Sequence, residues 1–332
     1  MRTSLSAFLI SILALQCLAQ ESADSVYLSR DEFMFGDDPR YTLMGGTPRR
    51  HTQIQPVSTL ALGGAYAGLF VFLNHHMSNS WWQRSVDFRI IEDGNYARSA
   101  DKIGHTYTGY VASTVCGDLL MECGFDYTTS TWLGAAMGLG YMTYVEYQDG
   151  HGANWGFSPS DAIANTAGAA IYVARNYSSF AQNFMPRWSY MPAQVVGEQP
   201  TNGREVTVLD DYNATSFWLA CNVHNLLPQN LKSYWPDWMM LSIGYGIRDY
   251  EVYPTLPDGT RSGTPLPIKR RFLVGIDYNW VKILPEAGSS LGFFNYLRQG
   301  LNYVRLPGPT IEFGDDGVRF GLFYPFAIVV PF

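Results

Sequence analysis

The chain has 332 residues, enough for two domains or one large one. Only 15% of them are charged, well under the usual share of about 25%, while 15% are aromatic, with 22 Tyr, 19 Phe and 9 Trp. A net charge of −7 and the lack of any Lys/Arg block argue against nucleic-acid binding; few charges among many rings suit either a protein that meets a bilayer interface or one with a large aromatic core.

Residues 1–19 read as a secretory signal peptide. Arg2 supplies the positive start, Ala7 to Leu15 is almost wholly apolar, and Cys17-Leu18-Ala19 offers small residues before a cut. The apolar run is short for a membrane span, which needs about 20 residues. A lipoprotein cut before Cys17 is an alternative. Of the other cysteines, Cys116, Cys123 and Cys221, none has metal-type spacing. Cys116 and Cys123 lie two helical turns apart, about 10 Å, too far for a disulfide.

Residues 20–55 are polar and irregular, with Gly45-Gly46-Thr47-Pro48 as loop. Residues 56–185 read as a membrane-associated bundle of about four helices. The first, Pro56 to Leu73, carries no charge and sits at the lower limit for a transmembrane helix. Its Gly63, Gly64 and Gly68 would permit close helix approach. Asp101 to Gly124 follows, capped by Ser99, and then Thr128 to Gln148. Ser158 to Arg175 has the best marked start: Ser158 as N-cap, Pro159 in the first helical position and Asp161 completing a capping box.

From about residue 186 to 332 the period shifts toward two and the chain reads as β-rich and mainly antiparallel, making the fold α+β. Leu241, Ile243, Tyr245 and Ile247 alternate with Ser242, Gly244, Gly246 and Arg248; Val274, Ile276, Tyr278 and Trp280 alternate with Gly275, Asp277 and Asn279. Pro254 to Pro267 is the loop between them. Further strands are expected at Asn302 to Leu306, Thr310 to Phe313 and Val318 to Phe323, before the apolar end Phe326 to Phe332. A sheet packed on the helices and part of an outer-membrane barrel both fit; a barrel needs at least eight strands, more than can be counted here.

Polar residues stand out in the helical half because they are scarce. Asp101 and His105, with Lys102 between them, share a helix face four residues apart, where a carboxylate can fix the imidazole tautomer. Asp101 also suits the first helical turn electrostatically. Glu146 and Asp149 stand near the end of the next helix, where a carboxylate is not favoured by the helix dipole. Asp161 and Asn165 form a polar stripe on the last helix, and a buried Asn165 needs a partner, naturally one on the helix that starts at Asp101. His105, Glu146, Asp161 and Asn165 are therefore the candidate catalytic cluster, with Asp101, Lys102, Tyr110, Asp149 and Ser158 in support. A metal or other cofactor is left open, and a buried network that only fixes helix register explains the same residues. Gly-rich phosphate loops, His-Glu-x-x-His and Gly-x-Ser-x-Gly are missing from the sequence.

The strings Asp101-Lys102-x-Gly104-His105-x-x-x-x-Tyr110, Glu146-x-x-Asp149-Gly150 and Trp155-Gly156-Phe157-Ser158-x-x-Asp161-x-x-Ala164-Asn165-x-x-Gly168 resemble the YfiM-like predicted periplasmic lipoproteins, a bacterial domain of unknown function. Asp211-Tyr212-Asn213, Gly244-Tyr245-Gly246, Arg270 to Asp277 and Pro307 to Glu312 look like the longer, Bacteroidetes-type members. Asp101, Lys102, His105, Glu146, Asp161 and Asn165 are also similar to a pattern in VanZ-like membrane proteins. The resemblance implies an exported protein of the periplasm or outer membrane of a Gram-negative bacterium, with membrane lipid or envelope proteins as partners and no reaction attached. The expected function is a structural or binding role in the envelope. The alternatives are an enzyme acting on a lipid or cell-wall precursor, and a barrel or transport component.

Overall fold

The computed structural model describes residues 26–79, 81–203, 206–288, 291–326 and 330–331. The signal peptide, Cys17 and part of the apolar C-terminus lie outside the described residues. The fold is α+β: helices come first, and an antiparallel sheet forms the C-terminal half.

Three long helices pack together. They are α2 (Ala100–Glu122), α3 (Tyr127–His151) and α4 (Pro159–Tyr177), and α1 (Pro56–Met77) lies beside them. Small residues set the spacing inside the trio. A Cβ on Gly168 would stand 2.2 Å from the Thr106 carbonyl oxygen, and one on Gly138 would stand 2.5 Å from the Ser113 nitrogen. Gly134 faces the backbone of Gly117 in the same way. Backbones this close leave no room for a methyl group, so glycine is the only residue that fits.

The start of α2 differs from the sequence expectation. Ser99 does not cap the helix; its hydroxyl donates to the Gly94 carbonyl instead (2.8 Å). Ala97, Arg98 and Ser99 all take positive φ, at 47°, 54° and 66°, and this left-handed stretch turns the chain into α2. Such backbone costs non-glycine residues energy and persists where its surroundings hold it. Here Ala97 and Ala100 are buried against Tyr212, Ile247 and Tyr250 of the C-terminal half. By contrast Asp126 caps α3 through the Thr129 amide, and Ser158 caps α4 through the Asp161 amide.

α1 does not complete a four-helix bundle. Nothing lies within 4 Å of where a Cβ on Gly63, Gly64 or Gly68 would be, so these glycines mediate no close approach. The helix touches α3 through another stripe: Tyr66 donates to the Met137 carbonyl, Phe70 packs on Tyr141 and Tyr144, and Asn74 donates to the Tyr144 hydroxyl. Only Leu73 and Met77 are buried, and Val57, Leu60, Val71 and Phe72 face outward. Among the described residues α1 is the helix long and apolar enough to cross a membrane.

The N-terminal segment is more ordered than its composition suggests. A short hairpin of β1 (Met34–Phe35) and β2 (Asp38–Pro39) delivers Arg40 into the bundle, where it pairs with Asp118 at 2.9 Å and Asn176 at 2.6 Å.

Seven strands form one sheet in sequence order: β3 (Phe184–Tyr190), β4 (Thr215–Cys221), β5 (Met239–Arg248), β6 (Lys269–Tyr278), β7 (Gly308–Gly314), β8 (Gly317–Tyr324) and β9 (Val330–Pro331). β3 and β4 have no counterpart among the strands expected from alternation. The expected strand at Asn302 to Leu306 is instead a tight turn, Leu301–Tyr303, that leads into a loop. The sheet curls strongly. Trp218 on β4 and Tyr324 on β8 have ring centroids 6.3 Å apart, although four strand spacings of a flat sheet would separate the two strands by roughly 19 Å.

The glycine geometry makes a prediction. Gly168→Ala should lower the melting temperature sharply, by overpacking worth about 1–3 kcal/mol or more. Gly63→Ala in α1 should be neutral or raise it slightly, because the added methyl meets nothing and improves helix propensity by up to about 1 kcal/mol. Thermal denaturation followed by circular dichroism checks both; equal effects at the two sites would contradict the packing described.

Candidate functional site

The cluster is built where the N-terminal ends of α2 and α4 meet the C-terminal part of α3. One helical turn separates Asp101 from His105 on α2, so both point the same way. His105 Nε2 faces Asp101 Oδ1 at 3.6 Å and Asp161 Oδ1 at 3.7 Å. On the other side of the ring Nδ1 is 3.1 Å from Asn165 Oδ1 and 3.3 Å from Glu146 Oε1. Three of the residues singled out, Glu146, Asp161 and Asn165, thus surround the imidazole of the fourth, His105, together with Asp101, and the His105 side chain is 18% exposed.

Lys102 is the second cation. Its ammonium lies 2.5 Å from Asp93, 2.7 Å from Asp101 and 2.6 Å from Asp161. The Asp93 carboxylate also accepts from the Ser158 hydroxyl at 2.6 Å, so the residue that caps α4 is tied into the cluster. Asp161 departs from the expected capping box: Ser158 Oγ accepts from its amide, but its carboxylate turns to Lys102. Glu146 Oε2 takes the corresponding place, 3.5 Å from the Ser158 amide.

The other supporting residues divide. Asp149 accepts from the Trp82 indole at 2.6 Å and does not touch His105. Tyr110 lies deeper in the bundle, where its hydroxyl accepts from Arg175, and belongs to a different network. His151 faces the Val86 carbonyl, away from Glu146.

Sequence reasoning missed two members. Asp93 sits in a loop without regular structure, and Tyr212 donates to Asp101 at 2.5 Å from the far half of the chain. No local pattern marks Asp93. Tyr212 lies in a string picked out above only as part of a resemblance.

Electrostatics follows from this crowding. Burial pushes the Glu146 carboxyl up to about 8, with Asp161 and Asp149 adding to the effect and His105 opposing it. Burial likewise lifts Asp149 and Asp161 to about 6. For Asp101 burial also pushes upward, but His105, Lys102 and the Tyr212 hydroxyl together hold it below its usual range. Burial pushes His105 down, and Asp101, Asp161 and Glu146 more than reverse it.

Chemically the cluster can hold a proton between Glu146 and His105 and pass it from one to the other when the recipient is deprotonated, across the 3.3 Å between Oε1 and Nδ1. Asp101, His105 and Asp161 offer ligand atoms within 4.8 Å of one another, a spacing that can hold a metal. The Lys102 ammonium already sits against both of those aspartates, and a divalent ion would have to compete with it. A cavity of about 600 Å³ lies elsewhere, lined by Tyr27, Arg30, Thr42, Arg49 and Glu122 among others.

Fold and cluster together define a class: an α+β protein with a compact helical unit organised around a semi-buried Asp–Lys–His–Glu–Asn network. Residues 90–177 match a family described as predicted periplasmic lipoprotein (DUF2279). The match runs from the loop that carries Asp93 through the end of α4 and contains the cluster except for Tyr212. It supports an exported, periplasmic location and a domain of unknown function; the likenesses to longer members and to VanZ-like proteins have no part in it. No curated protein and no solved structure matches the chain.

The raised Glu146 makes stability depend on pH. Below its ordinary value of 4.5 both folded and unfolded chains carry the proton. As pH rises toward about 8 the unfolded chain releases it and the folded chain keeps it, so stability falls across that window. His105, raised in the folded state, acts in the same direction. Melting temperatures measured from pH 6 to 8 should therefore decline, and the decline should be smaller in Glu146→Gln. An equal decline in the variant would show that Glu146 ionises normally.

Proposed function

We propose that this chain is a structural and binding protein of the cell envelope, in which the charged cluster locks the helical unit together and the aromatic C-terminal half meets membrane lipid or another envelope protein. One observation carries this reading: the Lys102 ammonium lies within 2.7 Å of carboxylates from the loop at Asp93, from α2 and from α4. A cation held between carboxylates from three pieces of chain ties those pieces together, which suits a register lock more than a free reactive group.

Lys102→Met tests the lock. Removing the ammonium leaves three carboxylates facing each other, and the expected loss is on the order of 3 kcal/mol, read as a large fall in melting temperature. Replacing Asp161 by Asn in the same chain should restore part of it. A Lys102→Met protein that melts with the wild type would sink the lock.

A second reading is an envelope enzyme acting on a lipid or cell-wall precursor, with His105 as general base, Glu146 as acid, and Asp161 and Asn165 as orienting residues. It is favoured by the Asn165 amide nitrogen, which is buried without a hydrogen-bond partner among the described residues, next to a partly exposed imidazole. A His105→Ala chain that keeps its melting temperature yet fails to complement a deletion strain would move the cluster from lock to active site.

A further inference from the structure

The sheet buries charged pairs on its inner, concave face, among small apolar clusters such as Met185, Ala220 and Met240, and its outer, convex face is apolar. On the inner face Arg187 pairs with Asp277 at 2.8 Å, Ser242 donates to Asp277 at 2.7 Å, and Arg248 pairs with Glu312; all five side chains are buried. Arg305 lies over the Trp218 ring, and Arg271 donates to the Tyr324 hydroxyl. Charged residues are almost never fully buried in water-soluble domains unless paired. Here each buried guanidinium faces a carboxylate or a ring, although the Nε atoms of Arg187, Arg271 and Arg305 have no hydrogen-bond partner among the described residues.

The outer face is the reverse. Register places Leu219, Ile243, Val274, Ile311 and Phe320 in one row across five strands, and Tyr245, Phe272, Phe313 and Val318 in the next. Ile243 is 61% exposed, Phe272 54% and Val274 44%. The helical unit covers this face at one edge, where Phe217 packs on Gly104 and Tyr107, and reaches Tyr245 on β5, whose hydroxyl donates to the Arg98 carbonyl. On β5 to β8 the outward positions between Leu241 and Tyr245, Phe272 and Tyr278, Pro309 and Phe313, and Val318 and Leu322 contain no charged residue. Trp238 stacks on Tyr278 at one end of the strands, and Tyr245 and Arg270 stand at the other.

We infer that the convex face of β5 to β8 seats in the hydrocarbon of a lipid bilayer, whatever the cluster between the helices does. Three features select lipid over a second protein. The sheet keeps its charged pairs on the inner side, beside two small apolar clusters, and exposes its aliphatic and aromatic rows, as in membrane β-structure, whose outer band is apolar and whose interior is polar. The face is convex, so a second copy could cover one strip of it and leave the remaining strands in water, whereas acyl chains follow the curve. Stacked Trp238 and Tyr278 bound the band at one end, the position that amphipathic rings take at a membrane–water interface.

The test uses the full exported chain with its native cysteines replaced by serine and one new cysteine introduced: Ile243→Cys, Val274→Cys, or Asp258→Cys in the exposed loop as control. Each is labelled with bimane and reconstituted into phosphatidylcholine–phosphatidylglycerol vesicles, with and without bromine midway along the acyl chains. The expected result is loss of most of the emission at 243 and 274 in brominated vesicles and no loss at 258. A pyrene label at 274 should give no excimer emission. Unquenched bimane at 243 and 274, whether or not the protein stays with the vesicles, overturns the proposal, and excimer emission at 274 assigns the face to a second copy. The Lys102→Met experiment concerns melting alone, so failure of either idea leaves the other standing.

Discussion

An ammonium group taken out of water loses several kcal/mol of hydration unless oxygen atoms replace the solvent it gave up. At Lys102 the replacements come from Asp93, Asp101 and Asp161, and each belongs to a piece of chain that could otherwise move independently. Satisfying one cation therefore fixes the loop before α2, the first turn of α2 and the first turn of α4 relative to each other. His105 extends the constraint to α3 through Glu146. The glycines at 109, 134, 138 and 168 make this possible, because only helices in backbone contact bring such short side chains together.

The same logic recurs twice in the molecule. Arg40 enters the bundle from the N-terminal hairpin and meets Asp118 and Asn176. Arg187, Arg248, Arg271 and Arg305 fill the concave side of the sheet and meet Asp277, Glu312 and Tyr324. Much of the interior is thus held by ion pairs and hydrogen bonds rather than by a large apolar core, and the chain's many rings are distributed around these networks and over the surface. Low charge content and a charged interior are compatible because so many of the few charges are inside.

This arrangement explains what the sequence revealed and what it hid. Ser158-Pro159 marks the start of α4 because capping is a local interaction, legible over four residues. His105, Glu146, Asp161 and Asn165 attract notice because polar side chains are rare among alanine and glycine. Strand alternation at Leu241 to Arg248 and Phe272 to Asp277 is equally plain, but a period of two cannot say which face is inside. That depended on how the sheet curls, a property of pairing between distant strands. Asp93 and Tyr212 stayed hidden for the same reason, being brought to the cluster by tertiary packing alone. The glycines of α1 were misleading: composition suggested contact where the helix presents a bare side. Ser99 resembled a cap, but its backbone is left-handed and its hydroxyl is used elsewhere.

Tyr212 crosses from the C-terminal half to the carboxylate of Asp101, and Ile247 and Tyr250 of that half close over Ala97 and Ala100. The matched segment of residues 90–177 therefore borrows part of its own foundation from sequence that follows it. Helical unit and sheet are bound to unravel as one cooperative body, and a chain cut after α4 would have to recruit another hydroxyl, and another cover for two small alanines, before it could stand alone.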